Sequence, residues 1–151
     1  MRLFSAMEVS ASGLTAQRLR LDLIASNLAN AETTRTAAGG PYVRKVAVVA
    51  PKNPQYSFRE LLAMQWGTLP GDATPVGVEV VSVAQDPTPP RRVYMPGHPD
   101  ADEDGYVTFP NVNVVTEMVD MMAATRAYEA NVTAIEAAKA MATRALEMLR
   151  V

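Results

Sequence analysis

The chain has 151 residues, 48% of them hydrophobic, with 14 Lys and Arg against 16 Asp and Glu and no cysteine. That is material for one ordinary domain with a core, and too apolar for a disordered tail. The missing cysteines exclude disulfides, Cys-ligated zinc and a cysteine nucleophile, and the scattered basic residues, densest at Arg44-Lys45 and Arg91-Arg92, form no nucleic-acid-binding stripe.

Residues 2–30 read as a helix. Met7, Leu14, Leu21 and Leu28 fall seven apart, and Leu3, Ala11, Ile24 and Ala25 fill neighbouring helical positions. Gly13 is a weak point inside it. Asn30 and the "ETTRT" that follows end it, and Gly39-Gly40-Pro41 forbids continuation. The segment has a basic residue near its start, but Glu8, Arg18, Arg20 and Asp22 interrupt any signal-peptide core. No cleaved secretory signal and no membrane span are therefore expected.

Residues 31–112 gather most of the prolines and glycines. Short β-like runs appear at 42–49, 76–83 and 106–109. "SFRELLAMQW" at 57–66 suits an amphipathic helical piece, and "DPTPPRR" at 86–92 an extended one. The grammar is that of a small, irregular β-rich module.

Residues 114–150 form the second predicted helix. Val114, Met121, Tyr128, Ile135, Ala142 and Leu149 recur every seven residues. Met118, Val132 and Leu146 stand four positions after members of that series, and Ala124, Ala138 and Ala145 three positions after. Thr125, Asn131 and Lys139 are the polar interruptions. Such a period favours a left-handed coiled coil. Asn113 is a suitable N-cap, with Glu117 and Asp120 near the positive helix end. The expected fold class is α+β, with long N- and C-terminal heptad helices forming a coiled-coil layer beside the β-rich middle. The expected segments are 1–30, 31–112 and 113–151.

Both helices carry apolar residues off the main seam: Phe4, Leu19 and Leu23 on the first, and Val115, Val119, Met122, Met141 and Met148 on the second. Pairing the two helices leaves these facing water, and an exposed surface of that size marks an interface. The alternative is a self-contained binding domain whose helices fold back on the β module.

Chemistry is sparse. His98, the only histidine, sits between Gly97 and Pro99 with no Ser or Lys motif to partner it. Asp100, Asp102, Asp104 and Gly105 match the first half of a calcium loop, which would make a calcium-binding regulatory module. However, the twelfth position is Asn111 rather than Glu, and Pro99 and Pro110 flank the run where helices should stand. Gly39-Gly40, Gly71 and Gly77 sit beside prolines as turns, not as a phosphate loop. "NVT" at 131–133 lies inside the heptad pattern, and the methionines at helical spacing suit packing. No catalytic, cofactor-binding or metal residue is assigned, and no enzyme is expected.

Two stretches carry a family resemblance. "ASGLTAQRLRLDLIASNLANAETT" with the later "GGPYVRK" resembles the N-terminal signature of flagellar rod, hook and hook-associated proteins. "YMPGHPDADEDGYVTFPNVNVVTEMVDMMAATRAYEANVTAIEAAKAM" is similar to the C-terminal signature of the proximal-rod branch. Asn27-Leu28-Ala29-Asn30 marks the broad family. Pro41-Tyr42-x-Arg44, Gly105-Tyr106-Val107, Pro110-Asn111-Val112-Asn113 and Glu117-Met118-Val119 point to the proximal rod. Met95 departs from the usual acidic residue after Tyr94, and 50–75 resembles a variable region of the family.

The resemblance implies a structural subunit of the bacterial flagellar basal-body rod in the periplasm, exported uncleaved through the flagellar type III apparatus. It would assemble helically with itself and other rod subunits, meet the export apparatus and a basal-body adaptor, and transmit torque for motility. The residues expected at the assembly interface are Met7, Leu14, Leu21, Ile24 and Leu28 on the first helix. On the second they are Met121, Tyr128, Val132, Ile135, Leu146 and Leu149. Asn27, Asn30 and Asn131 are expected to set register, as buried amides do in coiled coils.

Overall fold

A computed structural model describes residues 2–37, 39–52, 62, 65 and 77–148. Helix α1 spans Arg2–Ala29, roughly 42 Å at 1.5 Å per residue. It stops where expected. The Asn30 side chain turns back to donate to the Ser26 carbonyl at 2.9 Å, a second donor beside its own N–H at 3.1 Å. Thr33 then donates to the Asn30 Oδ1, and the Tyr42 N–H returns to the Thr33 carbonyl, folding the chain back beside the helix end.

Strands β1 (Lys45–Pro51) and β2 (Val78–Gln85) form an antiparallel ribbon, from Lys45 opposite Gln85 to Pro51 opposite Val78. A register shift between Val48 and Val49 bends it. Strands β3 (Arg91–Tyr94) and β4 (Tyr106–Phe109) pair as a second, separate antiparallel ribbon. β3 begins directly after Pro89-Pro90, which cannot donate to a ladder, so the run expected only to be extended becomes a strand at its last two residues.

Helix α2 spans Val114–Met148. Asn113 is its N-cap: its Oδ1 accepts from the N–H groups of Val115 at 3.0 Å and Thr116 at 3.3 Å.

The two helices lie antiparallel. Gly13 faces Asn131 and Asn27 faces Glu117, so the chain direction of one runs against the other. The β1–β2 ribbon runs along α1. Its start is tied to Asn27, while its far end meets Ser12 through the Val78 N–H and Glu8 through Lys52. α1 is therefore held between α2 and the ribbon. The buried apolar set is small: Ala16, Ile24, Tyr42, Val107, Ala124 and Ala138.

The α+β class and the order helix, β-rich middle, helix are as expected. Along α2 the buried or half-buried Glu117, Met121, Ala124, Tyr128, Asn131, Ile135, Ala138 and Ala142 follow one another in alternating steps of four and three, with half-buried Asp120, Ala127 and Val132 beside them. The inward face thus combines the seven-residue series with residues three positions after it. Small Ala and amide side chains let the backbones approach, whereas Met118 and Leu146 would hold them apart and are exposed. Except for Leu62 and Gln65, the helical piece expected over 57–66 lies outside the described residues, as do Leu149 and most of 50–75. Among the described residues no helix is long and apolar enough to cross a membrane.

Candidate functional site

Two features command attention: a buried polar joint where the middle module meets the helices, and an uncovered apolar face on α2. At the joint, Asn27 is 1% exposed and fully bonded. Its amide nitrogen donates to the Lys45 carbonyl at 2.9 Å and to Glu117 Oε2 at 3.2 Å. Its amide oxygen accepts from the Tyr42 hydroxyl at 2.9 Å and the Lys45 N–H at 3.0 Å. An amide has two donors and two acceptor sites, and all four are used.

Glu117, also 1% exposed, is the joint's charge. Arg44 grips its Oε1 through Nε at 2.7 Å and a terminal nitrogen at 2.6 Å, and donates to Asp86 Oδ2 at 3.1 Å. Burial works against the Arg44 charge, but the Glu117 and Asp86 hydrogen bonds outweigh it and leave the guanidinium pKa above its ordinary value. Asp86 is held below the usual carboxylate range by the Thr88 hydroxyl and N–H, and then by Arg44. Asn111 closes the ring. It accepts from the Arg44 N–H at 3.1 Å and donates to the Thr88 carbonyl at 3.1 Å. A buried charge pair of this kind is weak evidence for net stability but fixes geometry tightly, because breaking it strands a charge.

The joint positions elements and does no chemistry. The cleft of about 280 Å³ beside it mixes Leu23, Val46 and Val49 with Arg20 and Asp120, and its charges already face one another. Among the described residues no three His, Cys, Asp or Glu side chains converge to hold a metal. The acidic run is the connection between β3 and β4. Asp100 accepts from the Thr34 hydroxyl at 2.8 Å and Asp102 pairs with Arg92 at 2.8 Å, so two of the expected ligands face partners of their own.

The uncovered face comprises Val115, Met118, Val119 and Met122, all about half-exposed or more, at helical spacing on the side of α2 away from α1. At the far end of the helix pair, Phe4, Met141, Leu146 and Met148 are also exposed.

Known proteins resemble this chain over nearly its whole length. A family profile described as "Flagella basal body rod protein" matches residues 7–35, and "Flagellar basal body rod FlgEFG protein C-terminal" matches 103–148. The flagellar basal-body rod protein FlgC of Borreliella burgdorferi is 45% identical, with 99% of each chain covered. Those of Bacillus subtilis (98% of this chain, 99% of the relative) and Salmonella typhimurium (98% of each) are 44% and 39% identical. The chain belongs to the flagellar basal-body rod protein family. It is a structural protein of the rod and not an enzyme.

Within that family frame, the residues expected at the assembly interface separate into groups. Ile24 is buried on α1, and Met7, Leu14, Leu21, Leu28, Met121, Tyr128, Asn131, Val132 and Ile135 are half-buried. Leu146 stands exposed. The asparagines divide by role: Asn27 ties α1 to β1 and to Glu117, Asn30 caps α1, and Asn131 turns back to its own helix at Ala127 beside Gly13. Arg44, Asn111 and Glu117 entered the sequence reading separately, as a basic spot, the misfit of a calcium loop, signature letters and a helix-end charge. Their convergence is the part it missed. The signal was the spread of family motifs over distant segments, which the fold gathers into one joint.

Proposed function

We propose that this chain is a subunit of the proximal rod that assembles helically with itself and with other rod subunits through its terminal helices, in coiled-coil packing, and so transmits torque. The observation that carries this reading is the α2 face at Val115, Met118, Val119 and Met122. It is apolar and uncovered on a helix whose opposite face is already packed. Heterologous contacts through such a face repeat without closing and build a tube segment. Export takes place uncleaved through the flagellar type III apparatus, with a basal-body adaptor as a further partner, and the destination is the periplasmic rod. Glu8, Arg18, Arg20 and Asp22 support that route, since they break any secretory-signal core.

The test is Val119→Asp in cells lacking the native chain. The purified variant should melt like the parent, because position 119 is already 55% exposed. Basal bodies should lack the variant, and the cells should be non-motile. Normal incorporation and swimming would remove this face from the assembly.

A further inference from the structure

The chain has no cysteine, which leaves the methionine thioethers as its oxidisable sulfur. They are not equally placed. Among the described residues Met95, Met118, Met122, Met141 and Met148 are exposed, whereas Met7 and Met121 are half-buried. Met118 and Met122 differ from the other exposed three in their company. They stand one helical turn apart on α2, 48% and 54% exposed, and share the uncovered face with Val115 and Val119. Half of that face is therefore methionine. Met121, one residue before Met122, belongs instead to the half-buried run that faces α1.

We propose that Met118 and Met122 are oxidative modification sites, and that sulfoxide formed there by a peroxide closes the α2 face to assembly. The proposal rests on the reading of that face as an assembly surface and adds a chemistry that regulates it. The step balances with hydrogen peroxide as the oxidant. A sulfur lone pair attacks one peroxide oxygen, the S–O bond forms as the O–O bond breaks, and the departing hydroxide takes a proton and leaves as water. The sulfur loses two electrons and the peroxide gains them. The exposure of both side chains admits the oxidant without opening the fold. The product replaces a flexible apolar side chain with a polar one. In the free subunit the new S=O group is solvated, so the fold has no cause to change. Pressed against a neighbour it loses its water without gaining a partner, and a buried polar group without a hydrogen bond is costly. Once assembly has covered the face, the same sulfurs are shielded, so the sensitivity belongs to the unassembled subunit.

The purified full chain, treated with hydrogen peroxide and digested for mass spectrometry, should gain sulfoxide at Met118 and Met122 several times faster than at Met121. Equal rates at the three positions would overturn the proposal. Two paired variants then test the consequence in cells lacking the native chain. Met118→Gln with Met122→Gln sets a polar, unbranched side chain where each sulfoxide would stand. Met118→Leu with Met122→Leu keeps the face apolar and removes the oxidisable sulfur. Both pairs change exposed side chains and should melt as the parent does, as should the peroxide-treated parent. Basal bodies should contain the Leu pair and lack the Gln pair. Incorporation of the Gln pair, or loss of both pairs, would overturn the switch. A Gln pair or an oxidised parent that unfolds would overturn it equally, by placing the two methionines in a private core. Val119→Asp separates this outcome from the reading beneath it. If that variant is excluded from basal bodies while the Gln pair enters, the face assembles and the oxidation proposal alone falls. If both enter, both fall.

Discussion

Asn27 shows how a single amide can hold four partners in one orientation, and its removal is correspondingly costly. Asn27→Ala leaves the Lys45 N–H and one side of buried Glu117 without their partner, and the Tyr42 hydroxyl with only a 3.4 Å contact to Ser26. The expected loss is about 2–4 kcal/mol in denaturant titration, since each stranded buried group costs about 1–3 kcal/mol. Asn30→Ala, which loses only a cap and a bond to Thr33, should cost about 0.5–1 kcal/mol. Equal losses at the two positions would show that the joint does not depend on Asn27. The joint also predicts a pH dependence. Asp86 has a lowered pKa when folded, so the unfolded chain binds its proton more readily. Its stabilising contribution is fully present above the ordinary carboxylate pKa of about 3.9 and disappears as pH falls through the lowered folded value. Arg44, pushed the other way, stays charged throughout. The melting temperature of the parent should therefore fall more steeply below that range than that of Asp86→Asn, and parallel curves would remove Asp86 as a source of the acid sensitivity.

Among the elements, the β3–β4 hairpin turns on Gly105, whose φ of 77° lies in the left-handed region. A Cβ there would also sit 2.9 Å from the Tyr94 ring, which packs edge-on against Tyr106. Gly105→Ala should cost roughly 1–3 kcal/mol, combining backbone strain with displacement of that ring. A change under a few tenths would mean the hairpin rearranges freely. Asp104→Asn in the same connection should leave thermal stability unchanged with or without calcium; a rise of several degrees on adding calcium to the parent would instead restore the ligand reading, because binding to the native state stabilises it. The elements were legible in the sequence to different depths. Both helices and the Asn113 cap could be read from periodicity and helix-end chemistry, which are local. The inward flank of α2 could not. Hydrophobicity favours Met118 and Leu146 over Ala124 and Ala138, but close packing of two helices favours the smaller side chains. Gly13 was legible only as a weak point. The structure sets the Asn131 amide 3.1 Å from where its Cβ would be, so close approach, a property of the pair, explains it. Arg44, Asp86 and Glu117 lie far apart in sequence, and no local pattern signals their meeting.

At the scale of the whole molecule, bonding and burial are distributed unevenly along the helix pair, between a closed end at Asn27 and Glu117 and a free end at Phe4 and Met148. The closed end is pinned by the Asn27, Arg44 and Glu117 bonds, while the free end holds Phe4 and Met148 largely in solvent. Between them the seam is narrow, lined by Ala16, Ala124 and Ala138 together with half-buried Ile135 and Tyr128. Long helices in water draw most of their stability from tertiary packing, so local opening should follow this gradient. In the isolated chain, amide exchange should be slowest in the α1 turn around Ile24 and Asn27 and the facing turn of α2 around Met121 and Ala124. It should quicken steadily toward Phe4 and Leu146. Ile135→Asp, placed between the two ends, should speed exchange from that position to the free end while the turns near Asn27 stay protected, because their bonds do not pass through Ile135. In the assembly the gradient should flatten, with the free end gaining the most protection as neighbouring copies cover it. Uniform exchange along both helices in the isolated chain, or a free end that stays as fast in the assembly as outside it, would separate helix order from assembly and require the exposed apolar residues at that end to serve another purpose.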